Sequence, residues 1–233
     1  MNTTTVKNNS ASKKLDIKKM SVMAMFIALG YICLFVFRFK VSFLTLDFKD
    51  VFITLGGFVY GPIAAVVIAF TEALLELVTV SDTGFWGALM NFGGSAAFAV
   101  TASVVYKYNK SFKGAVIGLV SAIFSMTAIM LLLNLVITPI YAHTDVKTVV
   151  GMILPLLLPF NLIKSLLNAA LTFILYKPMS QAFKSIGLIP KGGNEFKIAK
   201  KSVIGLVIAL AIIIVSIVVV FAVFNGNFQI VKS

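Results

Sequence analysis

The chain has 233 residues, of which 60% are hydrophobic and only 12% are charged, whereas roughly a quarter of the residues of a soluble domain are charged. This composition excludes an ordinary soluble domain and predicts an all-α integral membrane protein. The formal net charge is +12, but the placement of the basic residues, described below, accounts for it, so nucleic acid is not an expected partner.

The helical segments predicted from the apolar runs number seven. Six runs approach the ~20 residues that cross a bilayer, and one run, at 51–60, is shorter and is followed at once by Gly61 and Pro62. We expect that short run to be a helix that turns tightly into the next one. In chain order the segments are 20–37, 51–60, 63–80, 85–106, 114–140, 159–176 and 202–224.

The chain divides into a membrane core and an appendix. A polar, disordered tail over residues 1–12 precedes a six-helix membrane domain over 13–184. A basic linker over 185–201 leads to an additional transmembrane helix at 202–224 and a short tail at 225–233. The additional helix carries no ionisable residue, which is typical of an anchor that faces lipid.

The basic residues predict the orientation. Fourteen of the 20 lysines and arginines fall in the N-terminal tail, the loop at 107–113 and the segment 177–201. Basic residues accumulate on the cytoplasmic side of membrane proteins. The N-terminus and the linker are therefore expected in the cytoplasm of a cell-membrane protein, and the C-terminus outside if the last helix spans.

Three polar residues share one face of the predicted helix at 159–176. Lys164 lies three residues after Asn161 and four before Asn168. A charge at the bilayer centre costs ~2.5–3.5 kcal/mol, so it normally faces a bundle interior or water. Lys164 could instead extend to the outer interface. In the first case this face suits the carbonyls and ring nitrogens of a polar heterocycle.

Other polar residues within the spans are less specific. Asn134 could contact a ligand or only a neighbouring helix, and Asn91 shares a face with Ser95. Glu72 and Glu76, four residues apart, could pair with Lys164, line a polar cavity or bind an ion. No further carboxylate within the spans completes a hard-cation site, and Cys33 is the single cysteine, so no metal site is expected.

The loop VFRFKVSFLTLDFKDVF, residues 36–52, lies on the predicted outer side. It alternates apolar and polar residues around LTLD. Its apolar side chains would be costly to expose to water, so we expect the loop to fold over the mouth of the bundle and to cover a pocket there.

Three stretches together resemble a known family. FLTLDFKDVFITLGGFVYGPIA, NLVITPIY and PFNLIKSLLNAALTFILYK are similar to the riboflavin-specific S components (the RibU family) of energy-coupling factor (ECF) transporters, over about residues 18–183. The resemblance implies a six-helix substrate-binding domain. It also implies that Asn134, Asn161 and Lys164 hydrogen-bond the flavin ring and that the stretch 44–47 closes over it. The expected substrate-binding residues are Leu44, Thr45, Leu46, Asp47, Asn91, Asn134, Asn161, Lys164 and Asn168.

The resemblance also implies partners. Ala24 and Ala28 resemble the small-residue stripe by which S components dock on a transmembrane coupling subunit, which works with two ABC ATPases. The subunit would bind its ligand outside, topple in the membrane and release the ligand inside. The chain itself has no GxxxxGK[ST] phosphate loop, and no cofactor is expected.

Two alternative functions stay open. The family's Lys-Asn pair and a glutamate are replaced here by Leu75-Glu76 and Ala88, so FMN or FAD could be the ligand instead of riboflavin. A stand-alone ion-coupled carrier could use Glu72, Glu76 and Lys164 as a proton relay. An enzyme is not expected, because the single histidine, His143, has no second histidine with which to form a site.

Overall fold

The structure, a computed structural model, describes residues 17–81, 83–185 and 187, together with 207, 209–216, 218, 229 and 230. The predicted tail at 1–12 and almost all of the linker at 185–201 lie outside the described residues. So do parts of the predicted last helix and of the tail after it. Within 202–224, the positions that the structure describes are α-helical.

Seven helices lie between residues 17 and 185. They are α1 Ile17–Val36, α2 Lys49–Tyr60, α3 Pro62–Thr79, α4 Gly84–Tyr108, α5 Phe112–Ala142, α6 Val146–Met152 and α7 Leu158–Ser185. Five segments among the described residues are long and apolar enough to cross a membrane, namely α1, α3, α4, α5 and the continuous run from α6 through α7. The predicted multi-pass, helical membrane protein is confirmed.

The short helix α2 and its turn are also as expected. With 12 residues, α2 is about 18 Å long at 1.5 Å per residue, which is shorter than the ~30 Å hydrocarbon core and too short to span it unaided. Gly61 follows with φ of +92°, a conformation that glycine adopts without a Cβ clash. Pro62 then starts α3 at a position where its missing N–H costs nothing.

The last span of the core begins earlier than the sequence predicts. The prediction places its start at residue 159, whereas the helix begins at Val146 and continues through a π-helical turn, Ile153–Leu157. The side chain of Asp145 caps α6 by accepting a hydrogen bond from the Thr148 N–H. Pro155 lies inside the π-helical turn and has no N–H to give to the preceding turn, so the wider turn keeps the helix continuous past this residue.

Helix α2 lies at the centre of the bundle and packs against α1, α3, α4 and α7. A Cβ atom at Gly57 would lie 2.1 Å from Ser103 Oγ and 2.9 Å from Ala65 Cβ, so this glycine allows α2 to approach α3 and α4 closely. The buried core between these helices includes Phe26, Ile53, Leu55, Ile68, Phe98 and Ala102.

A small antiparallel sheet, which the all-α prediction omits, forms from the loop after α1. Strand β1, Phe39–Val41, pairs with β2, Leu44–Leu46, and Ser42 in the turn has φ of +57°, as tight hairpin turns require. On its other side β1 pairs with β3, Gln229–Ile230, so the strand order is β2-β1-β3. The alternation of apolar and polar residues around LTLD was the sequence signal for this hairpin.

The Gly61 turn yields a first prediction. Gly61→Ala should lower the midpoint of thermal unfolding in detergent, equivalent to about 1–3 kcal/mol. The Cβ atom would meet no neighbour, but the backbone of Gly61, with φ of +92° and ψ of 176°, lies in a region that is essentially restricted to glycine. Gly151→Ala is the matched control. Gly151 lies within α6 with open space around it, so alanine should leave the midpoint unchanged or raise it. Equal effects of both substitutions would contradict the strained turn.

Candidate ligand-binding site

A cavity of about 220 Å³ lies beneath the β1–β2 hairpin and is bounded by α3, α4, α5 and α7. We call this hairpin, residues 39–46, the lid hairpin. Polar side chains and a few aromatic and thioether side chains share the wall. The lining residues are Arg38, Lys40, Ser42, Phe43, Leu44, Thr45, Glu76, Ser81, Thr83, Gly87, Met90, Asn91, Met130, Tyr141, Phe160, Asn161 and Lys164.

Lys164 on α7 reaches the loop that carries the lid hairpin. Its Nζ donates to the Thr45 carbonyl at 3.1 Å and to Asp47 Oδ2 at 2.8 Å. The side chains of Lys164 and Asp47 are only 8% and 1% exposed, so the lysine does not extend to the interface. The sequence left open which group neutralises Lys164, with Glu72 and Glu76 as possible partners. In the structure the partner is Asp47, because the loop folds back into the bundle and brings Asp47 to the lysine.

Asn168 anchors the same loop. Its Nδ2 donates to the Asp47 carbonyl at 3.1 Å and to the Lys164 carbonyl at 3.0 Å. Burial by itself raises the pKa of the Asp47 carboxyl, but the charges of Lys164 and Lys49 outweigh burial and hold the pKa below its ordinary value. Asp47 therefore stays ionised as the partner of Lys164. Asp47 and Asn168, both expected to contact substrate, lie behind the cavity wall and hold the loop in place.

A second buried ion pair joins α2 to α3. Lys49 donates to Glu76 Oε2, and Asn91 Nδ2 on α4 donates to Glu76 Oε1 at 2.8 Å. Glu76 and Asn91 line the cavity, with Lys49 buried behind them. One residue further on, Asp50 accepts a hydrogen bond from Ser95. Sequence reasoning missed Lys49 and Asp50 because both belong to a stretch that reads as an external loop.

The two remaining asparagines differ in position. Asn161 lines the cavity, and its Nδ2 donates to the Leu157 carbonyl at 2.7 Å, while its buried Oδ1 has no hydrogen-bond partner in the part of the chain that the structure describes. Asn134 is fully buried, donates to the Met130 carbonyl and accepts from Thr138. It lies outside the cavity lining, so its predicted ligand contact has no support from the geometry.

The expected substrate-binding residues thus divide into two groups. Those that line the cavity are Leu44, Thr45, Asn91, Asn161 and Lys164, and those that do not are Leu46, Asp47, Asn134 and Asn168. Leu46 belongs to a buried apolar cluster between the lid hairpin and α7. The lining residues that sequence reasoning missed include Arg38 and Lys40 in the loop and Tyr141 and Phe160 at the ends of two helices, where no spacing rule singles them out.

Glu72 lies in the interior, away from the cavity lining. It is 2% exposed, and a Cβ atom at Gly30 would lie 2.2 Å from its Oε1, so the carboxyl group packs directly on α1. Residues that the structure describes form no group of three potential metal ligands.

Ala24 and Ala28, the expected docking residues, are exposed on α1. They lie on the face opposite to Val22, Phe26 and Gly30, which are buried.

A multi-pass helical bundle with a partly polar cavity under a covering loop is typical of membrane proteins that bind a small substrate. A family model described as ECF transporter, substrate-specific component matches residues 18–176. The chain belongs to this family, whose members are substrate-binding components of transporters and not enzymes. In general, S components work with a transmembrane coupling subunit and ATPases.

Known relatives agree with this assignment. The chain is 31% identical over 180 residues to the riboflavin transporter RibU of Staphylococcus aureus (strain TCH60), which covers 72% of this chain and 94% of the relative. It is 26% identical over 189 residues to the riboflavin transporter FmnP of Bacillus subtilis (strain 168), covering 73% and 98%. A solved S component of a bacterial ECF transporter superposes with a TM-score of 0.62 at 30% identity, covering 72% of this chain and 98% of that chain.

The buried pair of Asp47 and Lys164 yields a second prediction. Asp47→Asn should destabilise the protein by about 3–5 kcal/mol, because it leaves the Lys164 ammonium buried without a counter-charge. The double variant Asp47→Asn/Lys164→Met should recover much of this loss. Thermal unfolding in detergent measures both effects.

Lys147→Met provides the control, because Lys147 is exposed and its replacement should change the unfolding midpoint little. The single variant Lys164→Met completes the comparison. If the loss of stability in the double variant equalled the sum of the losses in Asp47→Asn and Lys164→Met, the two residues would not be coupled.

Proposed function

We propose that this chain is the riboflavin-binding subunit of an ECF-type ABC transporter. It binds riboflavin at the outer face of the cell membrane and delivers it inward with a coupling subunit and two ABC ATPases. The N-terminus is cytoplasmic in this proposal. The observation that carries it is the position of Lys164 and Asn161 on one wall of the cavity beneath the lid hairpin, in a chain related to two riboflavin transporters.

The chemistry of this wall suits the flavin ring. An ammonium group has three donors, and the Thr45 carbonyl and Asp47 occupy two of those of Lys164, so one is left for a ring carbonyl. Asn161 Oδ1 is a buried acceptor on the same face of α7, three residues away. A donor beside an acceptor is complementary to the C=O and N–H groups of the flavin pyrimidine ring, and Phe43 and Phe160 supply apolar surface for its faces.

The size of the cavity adds a mechanical requirement. Its volume of about 220 Å³ lies below the ~300 Å³ at which typical ligand pockets begin. The lid hairpin forms the roof, whereas most of the other walls come from membrane helices, together with Ser81 and Thr83 in the loop between α3 and α4. Binding of a flavin therefore requires the lid hairpin to move outward, and the ion pair of Lys164 with Asp47 limits how far its base can follow.

FMN is a second candidate ligand. Arg38 and Lys40 both line the cavity from the strand side, and basic side chains are the usual partners of phosphate. In FMN, the flavin ring would bind at Lys164 and the phosphate group would bind at Arg38 and Lys40. Riboflavin is favoured because both curated relatives are riboflavin transporters.

The ligand proposal is tested by adding riboflavin, FMN and FAD in turn to the purified chain and measuring quenching of flavin fluorescence. Riboflavin should bind most tightly and with one site per chain. Asn161→Ala should weaken binding roughly 2- to 12-fold, the effect of one neutral hydrogen bond, without disturbing the ion pair. Lys164→Ala should weaken it further.

Lys147→Ala is the control for these titrations and should bind as the unsubstituted chain does. Absence of quenching by all three flavins would contradict the flavin proposal while leaving the family assignment intact. Tighter binding of FMN, lost in Lys40→Ala, would favour the second candidate.

The proposed docking of the coupling subunit rests on the exposed pair Ala24 and Ala28. Ala24→Trp/Ala28→Trp should abolish ATP-dependent flavin uptake into cells that contain the coupling subunit and the ATPases, because bulky side chains prevent close approach of two membrane helices. Flavin binding by the purified variant should be unchanged. The matched control is Ala128→Trp, an exposed alanine on α5, which should transport normally.

Normal uptake by the Ala24/Ala28 variant would contradict docking at this face. Uptake that persists without the ATPases but stops when the proton gradient is collapsed would instead indicate a stand-alone ion-coupled carrier.

A further inference from the structure

We infer that the C-terminal segment of this chain is a clamp on the outer edge of the lid hairpin and that it slows the opening of the cavity. The segment meant is the part after residue 201 that the structure describes, namely residues 207, 209–216, 218, 229 and 230. Its contacts with the lid hairpin and with α7 carry the inference.

The first contact is a strand pairing. Phe39 pairs with Ile230 and Lys40 with Gln229, in antiparallel register. β1 is thereby the middle strand of the sheet instead of an edge strand. An edge strand has unpaired backbone N–H and C=O groups on one side. β2 pairs with one side of β1, and β3 pairs with the backbone N–H and C=O groups on the other side.

The second contact is apolar and comes from the helical stretch 209–216. Ile213 packs against the buried cluster that joins the lid hairpin, through Val41, Leu44 and Leu46, to α7, through Phe160, Ile163 and Leu167. Ala209 and Ser216 of the same stretch are 4% and 5% exposed. The segment therefore contacts the lid hairpin both through its backbone edge and through the cluster on which the hairpin rests.

The clamp is an addition to the family fold. The family match ends at residue 176, and the solved S component is matched over 98% of its length by only 72% of this chain. The S-component fold is thus complete before this segment begins. A segment that the fold does not need, seated on the element that must move, is suited to control the rate of that movement.

The consequence is kinetic. Outward movement of the lid hairpin separates β1 from β3 or carries both strands away from the bundle, and it removes Ile213 from its apolar contacts. Two backbone hydrogen bonds, each worth roughly 2- to 12-fold, together shift an opening equilibrium by roughly 5- to 150-fold. Access to the cavity and release from it should both be slower by about this factor than in a chain without β3.

A cross-link tests the pairing directly. In a Cys33→Ser background, Phe39→Cys/Ile230→Cys should form a disulfide on mild oxidation, because directly paired residues have Cα atoms about 4.5–5.5 Å apart, within the range that a disulfide bridges. The matched control is Leu46→Cys/Ile230→Cys. Leu46 pairs with the opposite side of Phe39, so its Cα lies two strand spacings, about 9.5 Å, from that of residue 230, too far to bridge. Equal cross-linking of both pairs, or of neither, would overturn the proposal.

Two measurements then test the clamp, and only one of them rests on the proposed flavin. Riboflavin release from the oxidised Phe39→Cys/Ile230→Cys chain should be at least tenfold slower than after reduction, and deletion of residues 229–233 should speed release about tenfold. Amide hydrogen exchange of β2, which does not pair with β3, should become about tenfold faster in the same deletion, while that of α5 should not change.

The exchange experiment needs no ligand, so a chain that fails to bind flavin still tests the clamp. If the cross-link forms but β2 exchange is the same with and without residues 229–233, the segment pairs without restraining the lid hairpin, and the inference is wrong.

Discussion

The stretch 47–50 holds the loop after the first span inside the membrane bundle, and the rest of the site depends on it. Asp47 pairs with Lys164 on α7, Lys49 with Glu76 on α3, and Asp50 accepts from Ser95 on α4. Burying such charges is costly unless each finds its partner. Because the partners lie on three helices, the loop has one position in which all three contacts form, and that position places the lid hairpin over the cavity.

The residues that fix the loop in place are largely different from those that line the cavity. Asp47, Lys49 and Asn168 face the protein interior and fix the loop. Asn161 and one donor of Lys164 are the groups on the cavity side that the proposed ligand would use. Charges that are already paired keep their geometry when the cavity is empty, so a ligand does not have to order them. The lid hairpin is the wall built from short strands and side-chain contacts, and it is therefore the element expected to move during binding.

Much of the fold could be predicted from the sequence, and much less of the site. Hydropathy located the five segments among the described residues that are long and apolar enough to cross a membrane. The Gly61-Pro62 dipeptide located the turn after α2, because both signals are local. The sequence placed the start of the last core span at residue 159, whereas the helix begins at Val146. A proline ordinarily ends a helix, and the π-helical turn that accommodates Pro155 has no local sequence signal. Helical spacing brought Asn161 and Lys164 onto one wall, but it could not separate Asn168, which faces the loop, from Asn161, which faces the cavity.

By itself, the sequence determined that this protein is a multi-pass helical membrane protein with a polar face on the helix that carries Lys164, since composition and periodicity are properties of neighbouring residues. Only the tertiary structure decided what neutralises that lysine. Asp47 lies 117 positions away in the chain, in a loop whose charges read as external. The pairing arises because the apolar hairpin must leave water and carries its acidic base into the bundle, a long-range consequence that no local pattern contains.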